Sequence, residues 1–458
     1  MKKVKYLSIY EDIKNTILDG TYPIHSKLPS KRELSGFYNV SVITIDRAYQ
    51  QLITEGYVLS IERKGYYVNE MPQHLFYHAK NRDHNHTNIH DANEQKYTQI
   101  NTYFPHSTWA KLSRRVLSDH QNMMDSPVDP QGLMGLRHEI VKFLEIYRGI
   151  HASVEQIVIG SGSQAMIQLL IALIGRSYTF VMEEPGFTRL KNIVRYSGVQ
   201  VNTVLLDSQG ALINRIDTNQ PTIVHITPSH QYPKGIVMPI ARRIECLNWV
   251  SSNPDRYILE DDYDSEFRFQ GQPIPALQSL DQTSRVIYMN TFSKSLSPSL
   301  KINYLVLPKS LLAQYQNIKH MMPCSVPIFE QLVLMEFMKN QYFEKHLNRV
   351  KKIYRKKALY VIEKLNDVPF INISGFESGL HMILTLDETL DINKFFDHLN
   401  QQGIHLKRML DFYDDKPDEC QDFLLEYASM EDVDLLKTIN ILVDTIILLK
   451  NNIFDIIS

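Results

Sequence analysis

From about residue 100 to about 307, short apolar runs of strand length alternate with amphipathic stretches of helical period. The runs are Gln156 to Gly160, Tyr178 to Met182, Thr222 to Ile226, Tyr257 to Leu259, Val286 to Met289 and Tyr304 to Leu307, with helical patterns such as Ala165 to Ile174 between them. Helices that separate strands return the chain to the same end of a sheet, so this alternation specifies an α/β class with a mainly parallel sheet. After about 308 the signal turns helical, through Lys345 to Lys364, and a smaller α+β segment follows to about 455. Residues 99–458 therefore read as one sheet-based domain with a small C-terminal subdomain over about 345–458. No internal repeat is visible.

Composition narrows the setting. A chain of 458 residues has room for two or three domains, and 43% hydrophobic residues can fill large cores. The net charge of −2 leaves any nucleic-acid contact to a local patch. The three cysteines, Cys246, Cys324 and Cys420, are far apart and form no C-x-x-C pair, which argues against a disulfide framework or a zinc site. The basic start, Met1-Lys2-Lys3-Val4-Lys5, runs into no apolar h-region. No apolar stretch reaches the roughly 18 residues of a membrane span. The apolar run from Ile439 to Leu449 is short, is broken by Asn440 and Asp444, and reads as a docking helix. A cytoplasmic protein is expected.

Residues 1–70 follow a different pattern. Tyr6, Ile9, Ile13 and Ile17 recur at helical spacing up to Gly20. Ser30 and Glu33 form a capping box before a second helix, and Ser41 caps a third that closes at Gly56 with Ile45, Ala48, Tyr49 and Leu52 on one face. Two short β runs then flank the turn Glu62-Arg63-Lys64-Gly65. Three helices and a basic hairpin make a winged helix-turn-helix. Its third helix would enter the major groove of operator DNA, with Ser41 and Thr44 at base edges and phosphates. Lys31, Arg32, Arg47, Arg63 and Lys64 suit phosphate contacts. The competing reading is a small helical domain for protein contacts, which a basic wing does not require. Residues 71–98 hold His74, His78, His84, His86 and His90 among polar residues; the irregular spacing indicates a flexible linker and not a metal site.

Between the strands of the larger domain lie groups suited to one cofactor. Lys294 sits in Thr291-Phe292-Ser293-Lys294-Ser295, directly after a strand. Ser161-Gly162-Ser163-Gln164 follows another strand and opens a helix, where free backbone N–H groups attract an anion. Asp261 and Tyr263 stand at the end of a third strand, facing the side of a sheet where ligands bind. Phe187, in Glu184-Pro185-Gly186-Phe187-Thr188-Arg189, offers a flat apolar face. A lysine for an aldehyde, an acid for a ring nitrogen, donors for a phosphate and a stacking ring are what pyridoxal 5'-phosphate (PLP) requires. Lys294 is the candidate for the covalent link as a Schiff base. Ser163, Gln164, Thr291, Ser293 and Lys301 are candidates for the phosphate, Asp261 for the pyridine nitrogen, Tyr263 for the ring O3′ and Phe187 for the stack. Asp262 reads as a helix cap. Arg189 fits an anionic effector or a structural salt bridge equally.

Two resemblances follow from these residues. Leu28-Pro29-Ser30-Lys31-Arg32-Glu33-Leu34, Val40-Ser41-Val42-Ile43-Thr44 and Glu55-Gly56-Tyr57 resemble the GntR family of bacterial regulators, although Val42 stands where a basic residue is common. Asp129-Pro130-Gln131-Gly132, Thr227-Pro228-Ser229-His230-Gln231-Tyr232-Pro233-Lys234-Gly235 and Glu260-Asp261-Asp262-Tyr263 resemble fold-type I aminotransferases. Over nearly its full length the chain is similar to the MocR/GabR group, which joins the two and includes PdxR-like regulators. That resemblance implies PLP on Lys294 and a head-to-tail homodimer.

The pattern breaks at one place. Aminotransferases hold the substrate carboxylate with an arginine near the C-terminus, and here that position falls on Leu424, in Asp422-Phe423-Leu424-Leu425-Glu426-Tyr427. Leucine cannot make the bidentate charge-assisted pair. Lys407 and Arg408 are possible substitutes, and Lys301 stands where an arginine is usual. The resulting expectation is a DNA-binding transcriptional regulator with PLP as effector, controlling vitamin B6 supply or a related amino-acid pathway. The alternative is an active PLP-dependent aminotransferase with an accessory DNA-binding domain.

Overall fold

The computed structural model describes residues 5–70, 103–216, 220–269, 274–377 and 379–457. The linker expected over 71–98 lies outside the described residues. The chain divides into two units, Met1–Tyr97 and Thr98–Ser458.

In the first unit α1 (Lys5–Leu18), α2 (Lys31–Tyr38) and α3 (Val42–Thr54) precede an antiparallel hairpin of β1 (Val58–Ile61) and β2 (Gly65–Val68). Ile9, Ile13, Ile17, Leu34, Ile45, Ala48, Tyr49, Leu52, Val58 and Val68 make its core. The capping box forms as the sequence indicates: the Glu33 N–H donates to Ser30 Oγ at 3.3 Å, and the Ser30 N–H donates to Glu33 Oε2 at 2.6 Å.

The second unit opens with α4 (His106–Asp119), α5 (Gln121–Met124) and α6 (Met134–Arg148). β3 (Ile157–Ser161), α7 (Gly162–Ile174), β4 (Thr179–Glu184), α8 (Thr188–Tyr196), β5 (Val201–Asp207), β6 (Gly210–Ala211) and β7 (Thr222–Ile226) follow. Next come α9 (Ile240–Ser251), β8 (Arg256–Asp261), β9 (Val286–Thr291), α10 (Phe292–Ser295) and β10 (Ile302–Val306). The large sheet runs β3-β10-β9-β8-β7-β4-β5-β6. Its centre, β5-β4-β7-β8-β9, is parallel; β10 is antiparallel to both β3 and β9. The central strands are buried along their whole length, which explains their unbroken apolar runs. β5 escaped the sequence reading because only Val204 of its seven residues is buried.

α11 (Lys309–Ile318), α12 (Ile328–Lys339) and the long α13 (Tyr342–Leu365) lead into an antiparallel sheet ordered β11-β12-β14-β13. Its strands are β11 (Ile371–Ser374), β12 (Met382–Leu386), β13 (Lys407–Arg408) and β14 (Asp422–Leu425), with α14 (Ile392–Gln401) between β12 and β13. The expected docking helix belongs to a longer α15 (Asp432–Ile457), whose Leu435, Ile439, Leu442 and Ile446 join the main core. No helix among the described residues is long and apolar enough to cross a membrane.

Candidate functional site

Parallel strands bring their carboxyl ends to one edge, and the ligand-type residues of the second unit collect there. Asp261 is the last residue of β8, and its Oδ2 lies 3.2 Å from Nε2 of His225 on the adjacent β7. Both are buried. Glu183, near the end of β4, accepts from the Thr227 hydroxyl at 2.6 Å, the Thr227 N–H at 3.1 Å and Gln231 Nε2 at 3.4 Å. Burial pushes the Glu183 carboxyl up to about 7 against these bonds and the nearby His225. His225 thus holds Asp261 in place, and Glu183 ties the Thr227–Gln231 loop to the end of β4.

Tyr263 lies at the same edge. His230 Nδ1 is 3.0 Å from its hydroxyl and 2.9 Å from Asp264 Oδ2. Burial, reinforced by the charge of Asp264, holds the Tyr263 hydroxyl well above its ordinary value, so it keeps its proton as a donor. Phe187 stacks on Tyr232 with centroids 4.3 Å apart and planes 11° apart, and meets Tyr263 edge-on at 5.5 Å. Asp262, expected as a cap, is corrected by the structure: it is fully buried and pairs with Arg148 Nε at 2.7 Å, also accepting from the Tyr288 and Ser265 hydroxyls. A charge enclosed this completely needs an ionic partner more than a helix needs a cap.

The neighbouring strand ends make a polar cradle. β10 lies between β3 and β9, so Asn303 stands opposite Gly160 on one side and Thr291 on the other. The Thr291 hydroxyl donates to Asn303 Oδ1 at 3.0 Å, Asn303 Nδ2 reaches Ser163 Oγ at 3.4 Å, and the Ser293 N–H donates to Thr291 Oγ1 at 3.0 Å. α7 starts here with no side-chain cap, which leaves its first N–H groups to other partners. Gln164 and Lys301 are exposed at the same edge, Lys301 with a positive φ of 47°.

Lys294 is exposed on α10, held from below by buried Phe292 and Ser295. His346 of α13 donates from Nε2 to the Ser295 carbonyl at 2.9 Å; burial pulls His346 down to about 4, which keeps it neutral. Lys294 makes no hydrogen bond among the described residues, but its charge reaches Glu426. Burial raises the Glu426 carboxyl, while Lys407, Lys294 and His381 together hold it below the usual range.

The four-stranded sheet presents a different surface. Leu424 is 1% exposed and packs with Ile383, Met409 and Phe412, beside Tyr232, Tyr413 and Cys420. Lys407 stands opposite Leu424 on β13, but its Nζ pairs with Glu426 at 2.8 Å. Arg408 donates to Asn393 Oδ1 at 3.0 Å and lies over the Phe396 ring. Both cations therefore already have partners in this structure. Arg189 is exposed and forms no ion pair among the described residues, so the salt-bridge alternative is not realised there.

In the first unit Ser41 Oγ accepts the Thr44 N–H at 3.3 Å and lies 2.8 Å from the Thr44 hydroxyl. Lys31 is drawn into an ion pair with Asp46 and lies over the Tyr66 ring, which takes it out of the pool of unpaired cations. Arg32, Arg47, Arg63 and Lys64 are exposed without an ion pair among the described residues.

The sequence reading missed His225, Asn303, His346 and Glu183. For the three on strands, a histidine, an amide and a carboxyl inside otherwise apolar runs were the available signal; His346 lies on α13.

Residues 5–68 match the model of bacterial regulatory proteins of the gntR family, and residues 92–413 match that of aminotransferase class I and II. The HTH-type transcriptional regulator YdeL of Bacillus subtilis is 35% identical over 411 residues, covering 88% of each chain. The HTH-type pyridoxine biosynthesis transcriptional regulator PdxR of Corynebacterium glutamicum is 28% identical, covering 83% of each. Among solved structures, a multiple substrate aminotransferase from Thermococcus profundus superposes with a TM-score of 0.66 at 22% identity, covering 76% of this chain and 89% of that one.

Proposed function

The chain belongs to the MocR/GabR-type regulators, which fuse a GntR-type helix-turn-helix domain to an aminotransferase-like domain, and on that premise we propose a transcriptional regulator whose effector is PLP held on Lys294. Bound PLP supplies an aldehyde for a lysine amine and a ring that draws electrons when its nitrogen is protonated. The residues at the strand edge fit that group. Asp261, oriented by His225, would keep a proton on the ring nitrogen; Tyr263 would donate to the ring oxygen and Phe187 would cover one face. Ser163, Gln164, Thr291, Ser293 and Lys301, with the uncapped start of α7, would hold the phosphate. Arg189 is available to an anionic co-effector.

The observation that carries the regulator reading is Leu424. The cofactor side of the cleft is furnished with buried hydrogen-bonded groups, while the place where an amino-acid carboxylate needs a cation is closed by an apolar cluster. A site of that kind retains PLP and grips an amino acid poorly. The C. glutamicum relative, named as a regulator of pyridoxine biosynthesis, supports control of vitamin B6 synthesis. We further propose a cytoplasmic, head-to-tail homodimer acting on operator DNA through Ser41, Thr44, Arg32, Arg47, Arg63 and Lys64, with Lys31 contributing only if DNA displaces Asp46.

The intact Asp261–His225 pair also suits a working aminotransferase, so the test must separate the two readings. Apo-protein titrated with PLP should develop the visible absorption of lysine-bound cofactor, and Lys294→Ala should show none. The holoprotein, given a panel of amino acids and then a keto acid, should not sustain turnover. Repeated turnover would replace the regulator reading with the enzymatic one.

A further inference from the structure

The start of α3 is unusual for a surface meant to touch nucleic acid. Ile45, Ala48, Tyr49 and Leu52 face the core, so helical geometry turns Ile43 and Arg47 to solvent, while Val42 lies at the margin of the core face on the open first turn. Val42 is 42% exposed and Ile43 68% exposed, two β-branched apolar side chains next to each other on the first turn. The hydroxyls that flank them, Ser41 and Thr44, are bonded to one another. Lys31 is occupied by Asp46. Val42 and Ile43 thus add an exposed apolar pair to a unit whose exposed cations include Arg32, Arg47, Arg63 and Lys64.

That combination selects its occupant. Exposed cations without ion pairs among the described residues of the same unit match the phosphates of a nucleic acid. In the major groove the one apolar group on a base edge is the 5-methyl of thymine, whereas guanine and adenine present polar atoms that valine and isoleucine cannot bond. A second protein chain would be met by an apolar patch without the surrounding positive charge.

Resting on the DNA-binding reading above, we propose that Val42 and Ile43 are specificity-determining residues that select thymine in the operator by contact with its methyl group. A basic side chain at position 42 would read guanine instead. Each methyl contact is worth roughly fourfold in affinity, by the transfer free energy of one buried carbon group.

The test needs no known operator. Full-length protein selects duplexes from a random library, and the best duplex is remade with deoxyuridine at one thymine position at a time. Wild type should lose roughly fourfold in affinity at one or two thymines of each half-site and nothing at the others. The double variant Val42→Ala, Ile43→Ala should bind the thymine and deoxyuridine duplexes equally, and Val42→Arg should enrich guanine at the same position. If deoxyuridine costs wild type nothing at any position, the thymine proposal is overturned while DNA binding stands. If no duplex is enriched at all, the DNA-binding reading falls and this proposal with it.

Discussion

The walls that the large sheet and the small sheet present are built from opposite materials. On the wall formed by the large sheet, buried polar groups are tied to one another, Asp261 to His225, Glu183 to Thr227 and Gln231 and Asp262 to Arg148, and the half-buried Thr291 bonds Asn303. On the wall formed by the small sheet, Leu424, Ile383, Met409 and Phe412 make an apolar plug, and the nearby cations are engaged elsewhere. Buried polar groups are costly unless they serve a ligand or each other. That division fits the regulator proposed above, because the site at Leu424 lacks the cation that an amino-acid carboxylate needs.

The comparison can be broken by mutating each wall. Leu424→Ala should lower thermodynamic stability by about 2–4 kcal/mol, the usual result of emptying a buried leucine site, yet leave the spectrum of bound PLP unchanged. Calorimetry and absorption together check this; a lost spectrum with normal stability would place Leu424 in the cofactor site.

The polar wall should show its cost as pH dependence. The Glu183 carboxyl has a folded value of about 7 against an ordinary 4.5, so the fold binds a proton that the unfolded chain has already released. Its stabilising contribution is complete below about 4.5 and is lost as pH rises through about 7, a change on the order of 3 kcal/mol. Burial also raises Glu260 and Glu266 to about 7, with the same sign, so the informative quantity is the difference between wild type and Glu183→Gln. Denaturant titrations from pH 5 to about 8 should give a shallower decline for the variant. Equal slopes would mean that Glu183 is ionised in the fold.

The smallest effect belongs to the link between Asp261 and His225. His225→Leu should weaken PLP affinity by about 1 kcal/mol, the net worth of one hydrogen bond, without removing the cofactor band. Total loss of binding would show that His225 holds more than the orientation of Asp261.

How much of this was legible in the chain follows from how local each signal is. Lys294, Asp261, Tyr263 and Phe187 lie in short segments at strand ends, where residue type and position along the strand suffice. The pattern of central strands was readable because burial on both faces gives continuous apolar runs. His225 and Asn303 became partners of Asp261 and Thr291 only through strand order, which places β7 beside β8 and β10 beside β9. Asp262 misled because an acid before a short helix looks the same whether it caps that helix or answers a buried arginine 114 positions away. Lys31 misled for a related reason: Asp46 lies on the next helix and no spacing rule joins them.

The central claim is that PLP on Lys294 is a signal to the DNA-binding unit. It is tested most directly by measuring the affinity of one selected operator duplex for apo-protein, for PLP-loaded protein and for Lys294→Ala with PLP present. The account predicts that PLP changes the affinity of wild type and leaves that of Lys294→Ala at the apo value. Identical affinities for apo and PLP-loaded wild type, with the cofactor demonstrably bound, would contradict it.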